Sequence, residues 1–136
     1  MNKFVWTYKV AISDINYGGH MGNDKSLAIF HDARIAYLES MGFTEHHIGN
    51  GLGMIMKYAH VDYLAEVFHG DELQVKVSLG KREGLLFDID YEVIRKKDQK
   101  IVFKGITGML PFHYKRRKVA RIPQEFMEKI EEEYGH

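Results

Sequence analysis

The amino-acid sequence predicts an α+β domain in which an antiparallel sheet wraps around one long, apolar helix. Three observations carry this. Residues 24–41 place apolar side chains at helical spacing without a helix breaker. From Met54 onward the apolar pattern switches to the alternation of strands. The resulting order is one strand, one helix, four strands and a short C-terminal helix, a segregation that marks α+β rather than alternating α/β architecture.

The first strand is expected over Phe4–Ile12, rich in aromatic and β-branched residues. The helix follows from about Asp24 to Met41, with Asn23 as its N-cap, Asp24 in its first turn and Gly42 as the C′ glycine that ends it. Its apolar face is read as Leu27, Phe30, Arg34, Tyr37, Leu38 and Met41, with Ala28 and Ala33 allowing close approach. The outer face (Lys25, His31, Asp32, Glu39) is small, so the helix should be largely covered. Residues 43–53 form a glycine-rich connector. Gly49 to Gly53 lacks the spacing of a dinucleotide-binding turn and follows no strand. Strands are expected over Met54–Leu64, Glu72–Gly80, Leu85–Ile94 and Ile101–Phe112. In the third, Phe87, Ile89, Tyr91 and Val93 face one way while Asp88, Asp90 and Glu92 face water. Turns at Gly70-Asp71, Glu83-Gly84 and Lys97-Asp98 imply antiparallel hairpins in a meander. Pro123 to Tyr134 reads as a short surface helix with Pro123 near its first position.

With 136 residues, the chain is expected to be one domain spanning 1–136. Its 19 basic and 19 acidic residues cancel, so no overall field selects nucleic acid or an anionic membrane as partner. The absence of cysteine excludes disulfides, thiolate metal sites and a cysteine nucleophile. Met1 to Trp6 lacks the features of a signal peptide, and no segment approaches the roughly 20 apolar residues of a membrane span. A soluble, cytoplasmic protein is the expectation.

The chemistry concentrates in the stretch Ser13-Asp14-Ile15-Asn16-Tyr17-Gly18-Gly19-His20-Met21-Gly22-Asn23-Asp24. A glycine turn carrying Asp, Asn and His opens directly into the long helix, combining polar side chains with free helix-start N–H donors. Its order resembles the active-site loop of hotdog-fold acyl-CoA thioesterases of the 4-hydroxybenzoyl-CoA thioesterase-like branch. There it usually reads Ser-Asp-x-Asp-x-x-Gly-His-x-Asn-Asn. Three further segments in the matching order carry the resemblance: His60 to Leu64 followed by Gly70 to Leu73, Phe87 to Val93, and Lys118 to Pro123.

The resemblance implies a hotdog domain that hydrolyses an acyl-CoA or related acyl thioester without a cofactor, as a homodimer or homotetramer with sites at subunit interfaces. It also implies site residues. Asn16, His20 and Asp14 take the catalytic positions, and Tyr17, Gly19, Gly22, Asn23 and His60 border the substrate. N–H groups at about Gly22 and Asn23 would hold the oxyanion, helped by the helix dipole. The chain departs from the family at Asn16, where relatives carry the catalytic aspartate, because a neutral amide is no base. His20 is then the leading base, because imidazole is the side-chain type suited to general-base work near neutral pH. Asp14 would orient the loop. Glu66, standing where relatives usually have proline, is either a solvated strand end or a carboxylate reaching the site across a dimer. An acyl-thioester binding protein with weak or no hydrolysis is the alternative reading. An enoyl-CoA hydratase activity is a more distant one, since His20 lies one residue beyond the register of that motif and Tyr17 replaces its proline.

Simpler roles stand beside these. Asn16 can serve only its own turn and His20 only a local carbonyl. His46-His47 and the His60/Asp62 pair lack a third ligand at convincing spacing, so no metal is expected. The basic run His113 to Lys118 is a solvated tail, or keeps an exposed edge soluble, or alternatively contacts CoA phosphates. Met41, Met54, Met56 and Met109 fill a core, with Met54 and Met56 also suited to an acyl tunnel.

Overall fold

In the computed structural model, which describes residues 3–135, all strands join one antiparallel sheet that curls around the first helix. The elements are β1 (Phe4–Lys9), α1 (Ser26–Ser40), β2 (Gly53–Tyr63), β3 (Glu72–Glu83), β4 (Leu86–Arg95), β5 (Lys100–His113), β6 (Lys118–Val119) and α2 (Gln124–Tyr134). The expected α+β order is present. The short β6, paired with Phe112 and His113, is an addition. Across the sheet the order is β1-β3-β4-β5-β2. Thus β3, β4 and β5 form the expected meander, but β2 stands apart from it and pairs with β5 at the far edge. Residues 64–71 make this possible by crossing the end of the sheet. Leu64 and Ala65 donate to the Val102 carbonyl at 2.9 and 3.0 Å, and the Val10 and Asp71 backbones are joined at 2.9 Å.

Helix α1 buries Ser26, Ile29, Phe30, Ala33, Arg34, Tyr37 and Leu38, one continuous helical stripe. Leu27 falls outside it and is 42% exposed, and Ile29 takes the place expected of it. The exposed face, which includes Leu27, His31 and Ile35, is wider than expected, so the sheet covers one side of the helix only. At the centre, Phe30 stacks on Tyr91 of β4 with ring centroids 4.3 Å apart. Gly105 of β5 permits this approach, because a Cβ there would stand 2.7 Å from the Phe30 ring. A single 3-10 turn, Asn23–Lys25, precedes α1. Asn23 is therefore not its N-cap: Lys25 occupies that place, Gly22 caps the 3-10 turn, and no side chain caps either. The C-terminus matches expectation. Gly42 has φ +82°, and the N–H groups of Gly42 and Phe43 return to Glu39 and Leu38 at 3.0 and 2.9 Å, which closes the helix as a Schellman motif does.

A polar network lies under the helix. Arg34, 5% exposed, donates from Nε to Glu45 at 2.9 Å and from Nη1 to the Tyr91 hydroxyl at 3.1 Å. The Tyr91 hydroxyl lies 2.8 Å from that of Thr107 on β5, and His31 meets the other Glu45 oxygen at 2.7 Å. By contrast, the Tyr37 hydroxyl has no hydrogen-bond partner although Tyr37 is fully buried. A buried, unpaired hydroxyl is destabilising, so Tyr37→Phe should raise stability by about 1 kcal/mol. Thermal unfolding of the variant checks this.

On the sheet's other face Asp88 is 7% exposed rather than solvated. Tyr58 of the edge strand reaches across Gly108 and donates its hydroxyl to Asp88. Helix α2 covers the opposite end of the core with Phe126 and Ile130, Phe126 lying edge-on to Phe43 and Phe87. Among the described residues no helix is long and apolar enough to cross a membrane.

Candidate active site

The loop between β1 and α1 folds as a miniature hairpin. Ile15 bridges Met21, the Asn16 N–H donates to the His20 carbonyl at 3.0 Å, and the Gly19 N–H returns to the Asn16 carbonyl at 3.0 Å. Gly19 sits at φ +85°, a value the turn requires and glycine adopts without strain. Asp14 anchors this hairpin. Its carboxylate accepts the Tyr8 hydroxyl and, at 2.9 Å, the Ala11 N–H. Its carbonyl accepts the Gly22 N–H at 3.1 Å. Partial burial, together with the Asp14 carboxylate it donates to, pushes the Tyr8 phenol up to about 12. Asp14 thus holds the loop through Oδ2 and its carbonyl.

Asn16 is exposed, and its Oδ1 accepts the Gly18 N–H at 2.9 Å, an Asx turn that leaves only the amide nitrogen free. Tyr17 is wholly exposed at the hairpin tip (107%) and touches nothing of the cavity described below. His20 is placed differently. Its Nδ1 lies 3.1 Å from the Met21 carbonyl. A carbonyl only accepts, so in the neutral ring Nδ1 carries the proton and Nε2 keeps a free lone pair. Nε2 and Asn16 Oδ1 converge on Gly18, standing 3.5 and 3.1 Å from where a Cβ on that residue would be.

The helix start supplies donors, though not all those expected. The Gly19 and Gly22 N–H groups are bound to backbone carbonyls. No backbone acceptor among the described residues takes the N–H groups of Asn23 and Asp24, the first donors of the turn leading into α1. The hydroxyls of Tyr63 and Ser26 hold the Asn23 carbonyl at 2.8 and 2.9 Å and lie 2.7 Å from each other. This fixes the peptide that carries the Asp24 N–H.

Beside the loop opens a cavity of about 610 Å³ whose walls include His20, Asn23, Tyr63, Glu66, Phe68 and Phe103. The Met21 N–H donates to the Val67 carbonyl at 2.7 Å, which ties the loop to the segment forming the opposite wall. An imidazole, the helix start and an apolar, partly aromatic lining therefore meet in one place. Ser26, Tyr63 and Phe103 are members of this site that their sequence positions did not single out. A serine in the first helical turn is an ordinary residue, and only the pairing of β2 with β5 brings Tyr63 to it.

His60 belongs elsewhere. It points to the outer face of the sheet, 3.1 Å from Asp62, and lines a separate cavity of about 400 Å³ with Lys76, Asp90, Glu92 and Lys104. The strand register dictates this, because Val61 packs toward the core and its neighbours His60 and Asp62 must face out. That second cavity has charges of both signs but no helix-start donors, so the loop cavity is the better candidate. The basic run forms the tight turn between β5 and β6, with Arg117 over the Phe112 ring at 5.4 Å. It sits at the opposite end of β5 from Lys100 and Phe103, roughly 40 Å of strand away. Among the described residues, no three His, Cys, Asp or Glu side chains are grouped to hold a metal ion.

A long helix held in a curled antiparallel sheet, with a histidine hairpin ahead of its N-terminus, defines the hotdog class of proteins. The Thioesterase-like superfamily model matches residues 10–130, and the chain belongs to that superfamily. Solved structures agree in fold. Slr0204, a 1,4-dihydroxy-2-naphthoyl-CoA thioesterase from Synechocystis, superposes with TM-score 0.84 at 22% identity, covering 99% of each chain. SAV2348 from Staphylococcus aureus, solved in complex with CoA, gives 0.85 at 19% identity, covering 98% of this chain and 84% of its own. YbaW, a probable thioesterase from Escherichia coli, gives 0.83 at 16% identity, covering 93% and 96%. No curated protein matches the sequence.

Proposed function

We propose that this protein hydrolyses an acyl-CoA thioester to the free acid and CoA in the cavity beside His20. The observation that carries the reading is that His20 and Asn23 line one cavity, at a helix start where the N–H groups of Asn23 and Asp24 lack backbone acceptors among the described residues. His20 takes a proton from water as the oxygen attacks the thioester carbonyl. The two N–H groups receive the charge that develops on the carbonyl oxygen. Collapse breaks the C–S bond, and the imidazolium returns its proton to the departing thiolate. Superfamily membership and the CoA bound by SAV2348 support the substrate class.

Assembly as a homodimer or dimer-based tetramer, in the cytoplasm, is part of this reading. β2 leaves one edge unpaired and exposes Met56, Tyr58 and Tyr63. A long, partly apolar edge of this kind calls for a partner. In an antiparallel pairing of two β2 strands, the partner's basic turn would come to the end of the sheet that carries this chain's loop. That would allow it to meet CoA phosphates.

The reading is tested by free-thiol release from a panel of aliphatic and aromatic acyl-CoAs. Release from at least one supports hydrolysis. Tight binding of acyl-CoA with no release from any would instead identify a binding protein. Asn16 gives a second check. Its Oδ1 is tied to Gly18, and Asn16→Asp supplies a carboxylate at a position facing His20, so thiol release should rise about tenfold or more, within the range of general-base effects. An unchanged or lower rate would mean that the amide serves the turn alone.

A further inference from the structure

Glu66 is the residue that the mechanism leaves unused. It lines the loop cavity of this same chain together with His20 and Asn23. Its backbone is held on several sides. Arg95 Nη1 donates to the Glu66 carbonyl at 2.9 Å, and Arg95 is itself clamped by Asp98 at 2.9 Å. The preceding Ala65 N–H binds Val102 at 3.0 Å, and the following Val67 carbonyl accepts the Met21 N–H at 2.7 Å. That last bond joins the neighbour of Glu66 to the neighbour of His20. Yet among the described residues the Glu66 side chain has no hydrogen bond or ion pair, whereas Asp14, the carboxylate of the loop itself, is engaged by Tyr8 and Ala11. Glu66 is itself exposed, so its carboxylate is open to water at the cavity wall while its backbone is anchored there.

Resting on the hydrolytic reading above, we propose that Glu66 is a catalytic residue that holds the attacking water in place of the carboxylate missing at position 16. The water spans the cavity, with one hydrogen directed to His20 Nε2 and the other to the Glu66 carboxylate. The first leaves as the oxygen bonds to the thioester carbon. The second stays on the new carboxylic acid, which ionises on release. A charged acceptor orients water more firmly than a neutral amide can and stabilises the positive charge that His20 gains. The remaining titratable groups of the cavity take no part in this step. Tyr63 is bound to Asn23 and Ser26, Arg95 to Asp98 and Asp71, and Lys100 stands among the cavity walls as a cation.

The test uses the full chain, with thiol release measured for the wild type, Glu66→Gln, Glu66→Asp and His20→Ala on the best acyl-CoA found. Glu66→Gln should lower kcat by about a hundredfold while KM, the affinity for a thioether analogue of the substrate and the melting temperature stay at wild-type values. Glu66→Asp should recover part of the loss. A Glu66→Gln enzyme with wild-type kcat, beside an inactive His20→Ala, overturns the role of Glu66 and leaves the hydrolytic reading intact. A loss matched by a fall in melting temperature or analogue affinity also overturns it. Absence of thiol release by the wild type overturns both.

Discussion

His20→Ala is expected to lower thiol release by about a hundredfold to ten-thousandfold, the range associated with loss of a general base. The size follows from how little else can replace it. Asp14 is bound by Tyr8 and Ala11, and Asn16 is a neutral amide already bonded to Gly18. The effect should fall on kcat, because the ring is one lining residue among many of the cavity, while in the proposed mechanism its Nε2 takes the proton of the attacking water. Folding should be little affected, since the ring's one hydrogen bond is to the adjacent Met21 carbonyl. His20→Gln is the informative companion. It retains a hydrogen-bonding group but no base, and should be nearly as slow as His20→Ala. Steady-state kinetics on the two variants, with melting temperatures as control, checks the expectation. Wild-type rates in either would move the base elsewhere.

Glu45→Ala should produce the largest loss of stability, about 3 kcal/mol, because it leaves the Arg34 guanidinium buried with its carboxylate partner gone. Arg34 would keep the Tyr91 hydroxyl, a neutral acceptor that does not balance its charge. The same pair predicts a pH dependence. Burial alone would raise the Glu45 carboxyl, but hydrogen bonds from His31 and Arg34 outweigh it and hold the group below its ordinary range. A carboxyl lowered in the folded state adds stability above its unfolded value, and that stability is lost as pH falls through the folded value. Wild-type melting temperature should therefore fall in acid more steeply than that of Glu45→Ala, and thermal unfolding at neutral and acidic pH measures both effects. Replacing both partners, as in Arg34→Met with Glu45→Leu, should recover most of the lost stability, since no unpaired charge remains.

This network also links fold to site. Arg34 joins the middle of α1 to Tyr91 of β4, and the Glu45 carbonyl accepts the Met54 N–H at the start of β2. The pitch of the helix over the sheet, and so the position of its N-terminal donors, depends on these contacts.

What the sequence makes legible is what short-range physics decides. The switch from helical to alternating spacing locates α1 and the long strands, and Gly42 marks the helix end because αL geometry favours glycine. The hairpin with His20 ahead of α1 is legible for the same reason. Long-range pairing is not. Nothing in residues 53–63 says that β2 leaves the meander for β5, and that pairing brings Tyr63 to Asn23 and turns His60 outward. Asp88 reads as solvated from alternation alone. Its burial depends on a tyrosine two strands away that lies over Gly108. The commitments of the Gly19 and Gly22 N–H groups are equally hidden, since they follow from the hairpin's own closure. Glu66 reads as a strand end because its relation to His20 passes through the bond between Met21 and Val67, residues distant in the chain.

The most direct test of the central claim is a crystal structure with a non-hydrolysable analogue of an acyl-CoA substrate that keeps the carbonyl, a 2-oxoalkyl thioether or an amide. The predicted result places the analogue's carbonyl oxygen within hydrogen-bond reach of the Asn23 and Asp24 N–H groups, with a water between His20 Nε2 and the carbonyl carbon. An analogue bound instead in the outer-face cavity beside His60 and Asp62, with the loop cavity empty, would contradict the account.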